Sequence, residues 1–164
     1  MGESVYRTLG FKTSAEYVFY RTESIVPIQR ISYVREVRQE DEKYIKELDR
    51  EITGEERFTF LERFFSTGCV YNTETSGHIT GVYLPDFGSG LIIAKNSEAG
   101  LALMKVRLNR GKKTAVLPST NVAACEYVLS EGFQEYRTAP RMVLGNEVQW
   151  HPTMLYNRAT GYCG

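Results

Sequence analysis

The sequence contains no run of eighteen apolar residues, so it offers no segment that could cross a membrane as a helix. The first residues also lack the basic stretch and apolar run of a secretory signal. Lys plus Arg number 20 and Asp plus Glu number 20, which gives a formal net charge of zero. This balance argues against a nucleic-acid partner and against binding to membrane surfaces.

Cysteine and histidine are also scarce. The three cysteines, Cys69, Cys125 and Cys163, are widely spaced and form no CxxC pair. Free thiols in a reducing compartment are the simplest interpretation, so we expect a cytoplasmic protein. The two histidines, His78 and His151, lie far apart in the chain, and the sequence therefore predicts no metal site.

What remains is an ordinary globular composition of 164 residues, 42% of them hydrophobic and 24% charged. A chain of this length buries roughly 68–70% of its unfolded surface and needs no disulfide or metal to fold. From residue 31 onward the predicted elements follow the order β, α, α, β, β, β, α, β, α, β. This order predicts an α/β (α+β) fold with one central mixed sheet flanked by helices.

The helices and strands are indicated by hydrophobic spacing and by the residues at their ends. Tyr44, Ile45, Leu48 and Ile52 share one face of an amphipathic helix that Gly54 ends. A second helix is predicted over 55–68, a strand pair over 69–84 with a turn at 74–77, and a buried strand over 88–94. Ser97 is the predicted cap of the next helix, which ends at 111, and a strand follows over 113–118. Residues 119–121 offer caps for a last helix, an extended segment follows at 135–145, and no element is predicted for 146–164.

Two stretches, one near each end of the chain, have similar sequences. The stretch "SVYRTLGFKTSAEYVFYR" and the stretch "CEYVLSEGFQEYRTAPRMVL" each combine a helix end, a Gly-Phe pair and a strand. Gly10-Phe11 corresponds to Gly132-Phe133 in this alignment. The pattern therefore indicates the end of one unit followed by a whole second unit of the same kind.

The second copy resembles a known family. The pattern N-x-x-A-x-x-Y/V-L-x-x-GF at 121–133 is similar to the closing half of the GNAT acetyltransferase fold. The stretches "ITGEERFTFLERFF", "STNVAACEYVLSEGF" and "APRMVLG" resemble the C-terminal domain of tandem GNAT proteins. The resemblance implies a remnant of a preceding GNAT domain at 1–24, a linker at 25–33 and a GNAT-like domain at 34–164. A native start with an extra strand is the alternative.

The resemblance implies transfer of an acetyl group from acetyl-CoA to the amine of a small molecule or peptide. Such a reaction needs backbone N–H groups at a helix N-terminus for the pyrophosphate and a splayed strand for the pantetheine arm. In the family the phosphate loop precedes a helix, and the corresponding stretch here is "KNSEAG". The implied acetyl-CoA contacts are Ile93, Ala94, Lys95, Gly100, Leu101 and Asn121.

The phosphate loop departs from the family pattern at Glu98, which stands where the first glycine belongs. Two like charges at about 4 Å repel by about 4 kcal/mol at an effective dielectric near 20. Glu98 could equally complement the dipole of its own helix, as first-turn acids commonly do. Cofactor binding stays possible if Glu98 points away and the N–H groups of Gly100 and Leu101 are free. A Glu98 that caps its own helix favours a non-catalytic module.

The catalytic groups are less clear than the cofactor loop. The family often places a tyrosine acid four residues before the Gly of the Gly-Phe corner, which is Tyr6 in the first copy. The second copy has Val128 there, and Tyr127 is one position away, rotated by about 100° around the helix. Asp86 and Glu74 are candidate bases only by elimination. Packed aromatics and exposed turn carboxylates are the structural alternatives.

Two functions therefore stay open. The chain is either an acetyltransferase fragment or a divergent GNAT-like domain that shapes a substrate pocket or a dimer interface. The strand at 15–22 has apolar residues on both faces, which suits a strand covered on both sides. We expect it to pair with the sheet of the second unit or with a second chain in a strand-exchanged homodimer.

Overall fold

The computed structural model describes residues 2–24, 26–72 and 78–160. Its helices are α1 (Gly2–Thr8), α2 (Glu42–Thr53), α3 (Phe58–Leu61), α4 (Ser97–Asn109) and α5 (Val122–Ser130). Its strands are β1 (Lys12–Arg21), β2 (Val34–Glu36), β3 (Cys69–Asn72), β4 (Ile79–Leu84), β5 (Leu91–Ala94), β6 (Thr114–Pro118), β7 (Gln134–Val143) and β8 (Leu155–Asn157). The α/β class is confirmed, and β8 is an addition that the sequence did not predict.

The strands form two sheets, with the orders β2-β3-β4-β5-β8 and β6-β1-β7. All pairings among the described residues are antiparallel. The expectation of one central mixed sheet was therefore wrong. Helix α4 connects β5 to β6 in the manner of a parallel crossover, but β8 lies between these two strands and prevents them from pairing.

Strand β1 is the central strand of the three-stranded sheet, with β6 on one edge and β7 on the other. Its side chains alternate between two cores, because Tyr17 belongs to one buried cluster while Val18 and Tyr20 belong to the other. The apolar residues on both faces thus have the double cover that the sequence predicted. The strand pairs with the later part of its own chain, and exchange with a second chain stays a prediction.

Helix α2 covers the face of the larger sheet as its spacing predicted. Ile45, Leu48 and Ile52 are fully buried, while Tyr44 is only partly buried. Gly54 ends the helix in the left-handed conformation, with φ 70°. The second predicted helix is shorter than expected, because α3 has four residues and continues as a 3-10 turn, Glu62–Thr67.

The cap of α4 differs from the prediction by one residue. Asn96, not Ser97, caps α4, and its side chain accepts a hydrogen bond from the Ala99 backbone N–H. Both residue types cap helices well, and the helix simply begins one residue earlier than predicted. The predicted turn at 74–77, including Glu74, lies outside the described residues.

Candidate functional site

Several residues that the resemblance assigns to acetyl-CoA border the space between β5 and β6, here called the groove, and β8 lies in it. On one side β8 pairs with β5 through Ile92↔Asn157 and Ile93↔Leu155. On the other side the Arg158 backbone N–H donates to the Val116 carbonyl of β6 at 2.9 Å. Strand β8 therefore bridges the two sheets.

The buried side chain of Asn157 stabilises this connection with hydrogen bonds on both sides of β8. Its side chain is 1% exposed, its Nδ2 donates to the Gly90 carbonyl at 2.5 Å, and its Oδ1 accepts from the Val116 N–H at 3.0 Å. The next residues continue along the loop before β5, where the Ser89 N–H donates to the Ala159 carbonyl at 2.8 Å. The chain thus lies beside β5 at Ile92 and Ile93 and beside the preceding loop at Ser89 and Gly90.

Tyr156 occupies the place next to the first turn of α4. A Cβ built on Gly100 would lie 2.4 Å from three atoms of the Tyr156 ring. The ring is 3% exposed, and its burial raises the pKa of the Tyr156 hydroxyl. The absence of a side chain at Gly100 therefore admits this ring, in the position where the resemblance implied close approach of a pyrophosphate.

Two backbone N–H groups in the first turn of α4 have partners within the protein. The Ala99 N–H donates to Asn96 Oδ1 at 2.9 Å, and the Gly100 N–H donates to the Asn96 carbonyl at 3.1 Å. Leu101, in the same turn, is half-buried against the core. The Gly100 N–H that an anion would need is therefore already part of the helix.

The charged residues of the loop are engaged with other elements. Lys95 Nζ lies 2.6 Å from Glu51 Oε2 of α2, and both side chains are nearly half exposed. The Tyr71 hydroxyl of β3 donates to Glu98 Oε1 at 2.6 Å. Burial and the neighbouring Glu98 carboxylate together raise the pKa of Tyr71 to about 12. Glu98 is exposed and does not cap its helix, and the Gly100 N–H is not free, so this loop matches neither outcome foreseen from the sequence.

Asn121 connects α5 with the groove. The residue is 2% exposed, and its Oδ1 accepts from the Ala124 N–H at 3.1 Å while its Nδ2 donates to the Leu155 carbonyl at 2.9 Å. Ile93 and Ala94 are fully buried on β5. The fold thus brings Ile93, Gly100 and Asn121 around one groove, and each of the three contacts β8 or its Tyr156 ring.

The two candidate tyrosine acids have other immediate neighbours. Tyr6 is 47% exposed on α1, and its ring centroid lies 5.1 Å from that of Phe11. Tyr127 donates from its hydroxyl to Gln29 Oε1 at 3.0 Å, and burial, followed by the charge of Glu131, raises its pKa to about 12. A role for either hydroxyl in proton transfer remains a prediction.

Asp86 lies at a cavity beyond the end of β4. Its Oδ2 accepts from Thr67 Oγ1 at 2.6 Å. The cavity has a volume of about 490 Å³ and is lined by residues of both charges, namely Glu36, Ser66, Thr67, Pro85, Asp86, Arg110 and Lys112. Carboxylates and cations together make this a polar pocket without a strong preference for one charge.

Sequence reasoning missed the residues that fill the groove. Leu155, Tyr156 and Asn157 are almost fully buried, although they lie in the stretch for which no element was predicted. The available signal was the short apolar pair Leu155-Tyr156 shortly after Pro152.

Among residues 2–24, 26–72 and 78–160, no group of three or more His, Cys, Asp or Glu side chains could hold a metal ion. A search of those same residues found no helix with the length and apolar character needed to span a membrane.

Comparisons with known proteins agree on one family. Residues 45–157 match the family model described as "Acetyltransferase (GNAT) domain", and this range ends at the last residue of β8. No curated protein matches the chain.

Among solved structures, the chain is similar to a protein of Pyrococcus horikoshii assigned as an acetyltransferase, with a TM-score of 0.80 and 20% identity over 99% of this chain and 57% of that one. An acetyltransferase of the GNAT family from Colwellia psychrerythraea gives a TM-score of 0.55 and 13% identity, covering 85% of this chain and 61% of that one. A GNAT-family protein of Novosphingobium aromaticivorans gives 0.54 and 12%, covering 81% and 65%. The chain thus spans between 57% and 65% of these proteins, and the likeness shows the fold.

Proposed function

The chain belongs to the GNAT acetyltransferase family, and we propose that it takes part in the transfer of an acetyl group from acetyl-CoA to the amine of a small molecule or peptide. The observation that carries the proposal is the family match, since residues 45–157 include β5, α4, β6 and α5, the elements around the groove. In this proposal acetyl-CoA binds between β5 and β6.

The described arrangement of the groove does not fit acetyl-CoA. The edge of β5 is hydrogen-bonded to β8, the Tyr156 ring lies on Gly100, and the Asn121 amide donates to Leu155. A bound arm and pyrophosphate would need the same positions.

A second candidate function is favoured by the loop before α4. The Gly100 N–H is bonded within the helix, Lys95 is paired with Glu51, and Glu98 adds a negative charge. A loop with these properties suits a divergent GNAT domain that does not bind acetyl-CoA and instead shapes a pocket or an interface of a longer acetyltransferase.

An acetyl-transfer assay tests the first candidate. The purified chain is incubated with acetyl-CoA and a panel of primary amines and lysine-containing peptides, and mass spectrometry detects the acetylated product. Transfer above the enzyme-free control supports the proposal. Absence of transfer, both by this chain and by a folded variant with β8 released, contradicts it and supports the non-catalytic module.

Glu98→Gln tests whether the loop charge opposes cofactor binding. Removing a like charge near a pyrophosphate should strengthen acetyl-CoA binding at least tenfold, about 1.4 kcal/mol, in calorimetry. Glu126→Gln on the exposed side of α5 is the matched control and should leave the binding unchanged. Equal affinity for the parent and Glu98→Gln would show that Glu98 does not face the cofactor.

A further inference from the structure

Residues 151–160, here called the tail segment, run through the groove between β5 and β6. Leu155, Tyr156 and Ala159 are at most 5% exposed in the tail segment. We propose that the tail segment is an autoinhibitory element that excludes acetyl-CoA from this groove until it is released. The proposal rests on the function proposed above, because it assumes that the groove is an acetyl-CoA site.

The tail segment uses the contacts that a bound cofactor arm would need. Strand β8 is hydrogen-bonded to the free edge of β5 at Ile92 and Ile93. The Leu155 carbonyl accepts a hydrogen bond from the Asn121 amide, and the Tyr156 ring fills the space at Gly100. An extended arm that carries amide groups would bind a strand edge in the same way as β8 does. Occupation by the tail segment and by the cofactor is therefore mutually exclusive.

The fold allows the tail segment to leave without dismantling either sheet. Of the strand pairings, only β5–β8 is lost, because β2-β3-β4-β5 and β6-β1-β7 keep their own pairings. The hydrogen bonds that join the tail segment to Ser89, Val116 and Asn121 are lost with it. The connection from β7 to the tail segment, residues 144–149, is exposed throughout. Trp150 can remain in place, with the Arg141 guanidinium 4.5 Å from its ring centroid.

Release would expose an amide-compatible surface. The freed groups are the edge of β5, the Nδ2 of Asn121 and the open face of Gly100 at the start of α4. Their chemistry suits a ligand with an extended arm that carries amide groups. The tail segment is thus a strand that substitutes for such a ligand.

The test compares acetyl-CoA binding by calorimetry in three proteins. They are the full chain, a chain ending at Trp150, and a full-length double variant, Leu155→Ser with Tyr156→Ser, in case the shortened chain does not fold. Val148→Ser, an exposed change just outside the tail segment, is the matched control. Circular dichroism establishes that each protein is folded.

We expect at least tenfold tighter binding in the opened proteins than in the full chain and in Val148→Ser. A synthetic peptide of residues 151–160 should then compete with acetyl-CoA for the shortened chain. In the full chain, acetyl-CoA at high concentration should speed hydrogen exchange at the Ser89 and Arg158 amides, whose carbonyl partners would be lost.

Equal and tight binding by all proteins overturns the autoinhibition and leaves the acetyl-CoA function intact. No binding by any folded protein overturns the acetyl-CoA function itself, and the autoinhibition with it. Tighter binding by the opened proteins without competition from the peptide also overturns the proposal, because occupancy by the tail segment would then not be the cause.

Discussion

The contact between Gly100 and Tyr156 gives the sharpest prediction about stability. In a helix interior, alanine is favoured over glycine by about 0.8–1.0 kcal/mol. Here the new Cβ would lie 2.4 Å from three ring atoms of Tyr156, which is 3% exposed and held in the core. Overpacking of this kind costs about 1–3 kcal/mol. We therefore expect Gly100→Ala to lower the free energy of unfolding by about 1 kcal/mol.

The sign of this effect should reverse when the ring is absent. Tyr156→Val keeps a residue that favours strands, but its side chain ends before the atoms that Cβ would meet. In that background Gly100→Ala should raise the free energy of unfolding by about 0.5–1 kcal/mol, because only helix propensity remains. The coupling energy of the double-mutant cycle should be about 2 kcal/mol.

Urea unfolding followed by circular dichroism and by the fluorescence of the single tryptophan, Trp150, measures all four proteins. Tyr136→Val, at a 48% exposed tyrosine of β7, is the matched control and should show no coupling to Gly100→Ala. Additive effects of Gly100→Ala and Tyr156→Val, within about 0.5 kcal/mol, would refute the docking of Tyr156 on α4.

Three further substitutions test other parts of the structure. Asp49→Asn should lower the free energy of unfolding by about 3 kcal/mol in urea unfolding, because it removes the nearer of two carboxylates, Asp49 at 2.7 Å and Glu55 at 3.7 Å, from the buried Arg57 guanidinium. Asn157→Leu should cost about 2–4 kcal/mol, since it strips two buried backbone groups of their partners, whereas exposed Asn146→Leu should change little. Burial acts to raise the pKa of Asp41, but the Arg35 guanidinium and a backbone N–H outweigh it and hold that pKa below the ordinary 3.8. Its stabilising effect is complete above pH 3.8 and is lost as pH falls through the folded-state value, so Asp41→Asn should flatten the acid side of the stability profile.

Much of the fold could be predicted from local patterns. Spacing on one helix face identified α2, the Gly-Phe corners located the ends of α1 and α5, and a short apolar run identified β5. These signals are carried by neighbouring residues, so the sequence shows them directly. The cap of α4 was displaced by one residue because asparagine and serine compete on nearly equal terms.

Strand β8 could not be predicted in the same way. It has three residues, too few for a period, and its stability comes from insertion between β5 and β6 rather than from its own propensity. The structure places Ile93, Gly100 and Asn121, three of the contacts implied by the resemblance, around one groove. That the chain itself fills this groove depends on contacts between residues far apart in sequence, as does the pairing of Lys95 with Glu51.

The central position of β1 has a consequence for synthesis on the ribosome. Strand β1 precedes both of its partners in the chain, since β6 begins at Thr114 and β7 at Gln134. At about 5–20 residues per second, an apolar strand with two open edges would wait roughly 6–23 s for β7 to be translated. During that interval β1 is a template for pairing with other chains. The yield of folded protein should therefore be sensitive to the translation rate and to chaperones that cover exposed strands.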